Sequence, residues 1–182
     1  MEAVVLLLLG LILPAVPHLA SGIPVQPHFD YKKLAGLWHR LAMVAKGEDQ
    51  FIIGPEIQIS PMRKGDLSVG MNFIVRLACR FIDFRYRNAG QPGVFNVYHA
   101  NGDLSTIHVV DTDYNGHLVL HTETAGNSAL SLFVRGSDAP ESLKKMFEDY
   151  VRSLGFSKTD IKYQSQDEQC PLSRPRPKKN QR

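Results

Sequence analysis

From Gly36 onward, apolar and polar residues alternate in short runs. Turn residues separate the runs at a spacing of roughly 8–12, the signature of half-buried strands in a sandwiched or closed sheet. The runs cover residues 37–45, 55–62, 67–75, 77–87, 94–99, 104–110, 117–124 and 129–135. Arg63-Lys64-Gly65-Asp66, Asn88 to Gly93, Asn101-Gly102, Asn115-Gly116 and Ala125 to Ser128 punctuate them. No helical period intervenes, so consecutive strands are expected to pair as hairpins.

The period then changes. Over 140–154 the apolar positions are Leu143, Met146, Phe147, Tyr150, Val151 and Leu154, one stripe of an α-helix. Ser137 or Asp138 is placed to cap its start and Gly155 to end it. The stripe needs an apolar surface, which predicts a helix lying on the outside of the β structure. A ninth short strand is expected within 160–163. The fold class is therefore all-β: an eight-stranded up-and-down antiparallel barrel with one C-terminal α-helix outside. Such a barrel holds one small ligand and leaves no open sheet edge.

Composition agrees with a single globular domain: 182 residues, 43% hydrophobic and 21% charged. Lys plus Arg is 21 and Asp plus Glu 18, a net charge of +3, too mild for a dedicated nucleic-acid binder. The opening segment changes the picture. The apolar run over 4–13, broken by Pro14, is shorter than the ~20 residues a membrane span requires. It fits a secretory signal peptide, with Ala20-Ser21-Gly22 preceding cleavage at Ile23, although Glu2 stands where a basic residue is usual. The expected organisation is a signal peptide over 1–22, a barrel domain with its helix over 23–170, and a basic tail over 171–182. The tail carries Arg174, Arg176, Lys178, Lys179 and Arg182 between Pro171, Pro175 and Pro177. It is read as a disordered arm that either meets an anionic polysaccharide, membrane or cell-surface receptor, or only solubilises. Secretion makes a single disulfide the simplest use of Cys79 and Cys170, with a free reactive thiol as the alternative.

Three stretches resemble the motifs of the lipocalin family: Gly36-Leu37-Trp38 at the first strand, Thr112-Asp113-Tyr114 between strands six and seven, and Arg135 after strand eight. The Cys79–Cys170 pair and the helix after the barrel also match, so the resemblance spans about residues 28–170. It implies that Trp38 plugs the closed end, that Arg135 lies over its indole, and that Gly36 lets the backbone pass beneath. These residues serve the fold, so function is sought in the interior.

Alternation anchored on those motifs assigns the faces. If Cys79 points outward to meet the tail, Ile82 and Phe84 point in. Met71, Phe73 and Val75 are inward on strand three. So are Ser105, Ile107 and Val109 on strand six, and Leu118, Leu120, Thr122 and Thr124 on strand seven. On strand eight Ala129, Ser131 and Phe133 are inward. The lining is mostly apolar with a few hydroxyls, and small residues at Ser105, Ala129 and Ser131 are expected to leave space. This suits a retinoid, fatty acid or steroid. No metal-ligand spacing or cofactor motif stands out. His117 and His121 lie about 13 Å apart along one strand, too far to share an ion, and are read as surface residues. Siderophore-binding lipocalins imply inward cations, but the matching positions hold Phe84, Thr124 and Ala129. A prostaglandin-isomerase activity would require a free thiol inside the barrel, so a binding protein and not an enzyme is expected. A third alternative is a surface-acting protein with its interior filled by Phe73, Phe84 and Phe133. Arg40, inward by parity with Trp38, would receive a ligand carboxylate, unless a bulge turns it out or Glu56 or Asp83 partners it. Arg76, Arg80, Arg85 and Arg87 are expected partly to rim the mouth.

Overall fold

The structure, a computed structural model, describes residues 22–47, 54–75, 78–136 and 139–164, with backbone alone at 73–75 and 78. Residues 1–21 of the expected 1–22 leader, the basic tail, Cys170, Arg76, Ser137 and Asp138 lie outside the described residues, as do the side chains of Phe73 and Val75.

Nine strands and one helix follow in chain order: β1 (Gly36–Lys46), β2 (Glu56–Pro61), β3 (Leu67–Val75), β4 (Ala78–Asn88), β5 (Val94–Tyr98), β6 (Leu104–Thr112), β7 (His117–Thr124), β8 (Asn127–Val134), α1 (Glu141–Ser153) and β9 (Lys162–Tyr163). Each of β2 to β7 pairs with its chain neighbours, and β1 pairs antiparallel with both β8 and β2. The eight strands thus close into the expected barrel, and β9 flanks the far half of β1 at Ala42 and Met43.

Two boundaries differ instructively. The β7–β8 turn is only Ala125-Gly126, with φ of 42° and 87°, so β8 starts at Asn127. Positive φ at both positions matches the twist of a two-residue hairpin. Strand β6 runs on to Thr112 because a bulge between Val109 and Asp111 carries it past its expected end. Helix α1 begins after Pro140, which offers no side-chain cap. It ends as predicted: Gly155 has φ of 73°, its N–H donates to the Arg152 carbonyl at 3.0 Å, and the Phe156 N–H donates to the Val151 carbonyl at 2.9 Å.

The wall has two apolar sides. The inner core includes Trp38, Ile57, Ile59, Leu67, Val69, Phe95, Val109, Leu118 and Phe133. The outer core joins Ala42, Val44, Val119, Leu130 and Leu132 to Phe147 and Val151 of α1 and to Phe156. The helix therefore docks on the outside, where its stripe required.

The closed end explains its motifs. Trp38 is fully buried and its Nε1 donates to the Leu34 carbonyl at 2.9 Å. The Arg135 guanidinium lies 3.9 Å from the indole centroid, a contact worth about 0.5–2 kcal/mol. Arg135 also donates to the carbonyls of Tyr114, Leu37, Lys33 and Ala35. A Cβ on Gly36 would meet Arg135 Nη1 at 2.5 Å, and φ there is +114°, so glycine is required. Asp113 Oδ1 accepts from the N–H groups of Asn115, Gly116 and His117, shaping the turn. Thr112 Oγ1 donates to the His117 carbonyl, and Tyr114 Oη accepts from the Asp30 N–H. The segment before β1 lies across this end, with Gln26 N–H on the Val109 carbonyl and Phe29 edge-on to Phe95 at 6.0 Å.

Candidate functional site: the barrel interior

The ladders stack the inner residues into rows. Nearest the closed end, Leu118, Phe133 and Arg40 are cross-strand neighbours. The next row holds Val109, Leu120, Ser131 and Met43; then come Ile107, Thr122, Ala129 and Ala45. Ser105 and Thr124 pair nearest the mouth, with Val97 beside Ser105. Along β8 the inner side chains shrink from Phe133 to Ser131 to Ala129, so bulk sits at the base and small polar groups above.

Those upper groups form a polar array. The Ser105 hydroxyl is hydrogen-bonded to the Thr124 hydroxyl and, at 2.7 Å, to His99 Nε2. The Thr122 hydroxyl is 4% exposed as a residue and has no protein partner. His99 also meets Phe84 edge-on at 6.0 Å between centroids. Ser105, Ala129 and Ser131, the small residues of the predicted lining, are all buried. Among the described residues, the inner face is most exposed on β4. Ile82 is 41% exposed and Phe84 is partly buried against the inner core. Arg80 shares their face and is exposed.

The predicted inner positions Met71, Ile107, Val109, Leu118, Leu120 and Phe133 join the inner core, and Ile82 pairs with Met71 across the ladder. Several lining residues escaped the sequence reading: Ile57 and Ile59 on β2, and Phe95, Val97 and His99 around β5. Their alternation with Glu56, Gln58, Asn96 and Tyr98 carried the signal. Met43 and Ala45 also escaped it, because a bulge between Arg40 and Ala42 shifts the faces of β1 by one residue.

Arg40 precedes that bulge. It is 9% exposed, and its Nε donates to Gln164 Oε1 at 2.7 Å. Glu56 contacts His39 at 2.9 Å, and Asp83 accepts from Ser68 at 2.7 Å. The arginines of β4 divide. Arg85 forms a two-pronged pair with Asp66 at the closed end, through Nε at 3.1 Å and Nη2 at 2.8 Å. Arg87 stands over the Tyr98 ring at 5.1 Å. Only Arg80, among the described ones, is left toward the mouth.

His117 and His121 face outward as expected. His117 lies against Asp111 at 3.2 Å and Asp113 at 3.5 Å. The surface reading of His121 is corrected: it is 2% exposed, because Phe156 covers it edge-on at 6.1 Å.

A closed antiparallel cup, sealed at one end by an indole and lined with apolar side chains, defines the class of small-ligand-binding barrels. The pattern of the lipocalin / cytosolic fatty-acid binding protein family matches residues 35–168, and the chain belongs to that family. It is 30% identical to human lipocalin-15 (Homo sapiens) over 90% of this chain and 94% of that protein. It is 26% identical to a prostaglandin-H2 D-isomerase of Ovis aries, over 91% of this chain and 92% of the relative. A lipocalin of Rhinella marina is also 26% identical, over 81% and 86%. No helix among the described residues is long and apolar enough to cross a membrane.

Proposed function

We propose that the protein is a secreted carrier that binds one small hydrophobic molecule of the retinoid, fatty-acid or steroid class inside the barrel. The observation that carries this reading is the interior itself: an apolar lining, with a buried Thr122 hydroxyl that finds no protein partner. A buried polar group left unsatisfied costs about 1–3 kcal/mol, and a guest with one hydroxyl or carbonyl would relieve it. Ile82 and Phe84 on β4 supply the apolar face a guest would meet first, and Arg80 beside them suits an acidic head group. Arg40 is a weaker candidate for that role, because Gln164 already accepts from its Nε.

Binding is favoured over isomerase chemistry. Cys79 lies on the β4 face opposite Ile82 and Phe84 and is disulfide-bonded, which supports pairing with Cys170 and an oxidising compartment. Siderophore capture is disfavoured by Phe84, Thr124 and Ala129, which offer an anionic complex no counter-charge. The leader pattern over 1–22 supports secretion, and the tail over 171–182 is assigned to anionic polysaccharide or a receptor. Heparin retention that survives truncation at Pro171 would remove the polysaccharide role.

The test is titration with retinol, a fatty acid and a steroid, read by the fluorescence of Trp38, the sole tryptophan. Saturable one-to-one binding of at least one class is expected. Thr122→Val should weaken a hydroxyl-bearing ligand roughly fivefold, the equivalent of about 1 kcal/mol. Absence of saturable binding in all three classes would overturn the reading.

A further inference from the structure

The outer wall carries a cluster that ligand transport does not use. His108 on β6 and His121 on β7 are direct cross-strand partners, with ring centroids 6.0 Å apart. Glu123, two residues along β7, projects from the same face. One ligand atom from each of the three lies within 4.8 Å of the others. The Nδ1 atoms of both histidines are buried with no hydrogen-bond partner. His121 is 2% exposed, beneath Phe156 and paired across the ladder with the buried Leu130. In that surrounding an aliphatic side chain would fill the space without leaving a polar atom unsatisfied.

Two imidazoles and a carboxylate match the donors that zinc takes, at roughly 2.0–2.2 Å each. In a tetrahedral site such donors stand a little over 3 Å from one another, so side-chain rotation of modest size gathers this set. Glu123 is exposed and keeps one side of the site open to water. Nitrogen donors favour zinc or copper over calcium or magnesium.

We propose that His108, His121 and Glu123 form a zinc-binding site on the outer wall of the barrel, with three protein ligands and a fourth position open to water or an exogenous ligand. The ion would tie β6 to β7 at the edge of the surface covered by α1 and Phe156. It is separate from the interior and stands whatever the barrel carries.

The experiment is calorimetric titration of the chelator-treated full chain with Zn²⁺, beside His108→Ala, Glu123→Gln and His117→Gln. Glu123 is exposed and His108 only half-buried, so the first two variants keep the fold, checked by circular dichroism; His121, being buried, is left in place. One Zn²⁺ per chain is expected. His108→Ala should weaken binding by about 100-fold or more, and Glu123→Gln by at least about tenfold. His117→Gln, which alters the neighbouring histidine–carboxylate cluster, should leave the affinity within twofold. Cobalt substituted for zinc should show the visible absorption of a tetrahedral nitrogen–oxygen site, lost in His108→Ala. No binding, or binding indifferent to both His108→Ala and Glu123→Gln, would overturn the proposal. So would binding that His117→Gln abolishes.

Discussion

Asp66 shows how one side chain ties the closed end together. Its carboxylate accepts the Asn88 N–H at 3.0 Å and both prongs of Arg85. The Asn88 N–H first, and then Arg85, hold its carboxyl below the ordinary 3.8. A depressed folded pKa means that the unfolded chain takes up the proton first as acid is added. The stabilisation is therefore complete above that value and is lost as the pH falls below it. Asp66→Asn should lower stability by about 1–3 kcal/mol at neutral pH. In urea melts the gap to the parent should narrow as the pH drops under 3.8; a gap that stays constant would remove the charge from the account. At this scale the sequence was legible where a residue has one possible duty. Gly36, Trp38 and Arg135 were placed through their resemblance to the lipocalin motifs. Arg40 was not legible, because its partner Gln164 lies far along the chain and the adjoining bulge is invisible to parity counting.

Elements are set by which side of the wall they cover. Alternation placed the faces of β6, β7 and β8 because the motifs fixed its phase. It could not show that His121 lies under a lid, because α1 and Phe156 come later in the chain and their docking site is not encoded in the strand. Nor could spacing within β7 reveal His108: the two histidines meet through register, not through sequence separation. Helix α1 is held by its stripe. Phe147 is fully buried in the outer core, so Phe147→Ala should cost about 3–5 kcal/mol in denaturant titration. Because that residue touches only the outer side of the wall, ligand affinity of the folded protein should stay within about twofold. A large loss of affinity would mean that the two cores are coupled through the sheet.

For the molecule as a whole, the question is how full the cup is. Ser131 is buried in the row above Phe133, between Leu120 and Met43. Ser131→Phe should both overpack the wall, at about 1–3 kcal/mol, and lower ligand affinity at least tenfold. Destabilisation with unchanged affinity would place the guest elsewhere. The ladder is asymmetric along β1. Strand β1 leaves β2 after His39 and takes up β9, and the β9 pairing comprises only Ala42 with Tyr163 and Met43 with Lys162. The pairing of β1 with β9 lies outside the eight junctions that close the barrel, and like that of β4 with β5 it has two residue pairs. The upper half of β1 stays held along β8 from Ala42 to Lys46, so parting its short pairing with β9 would leave both the wall and the indole plug below in place.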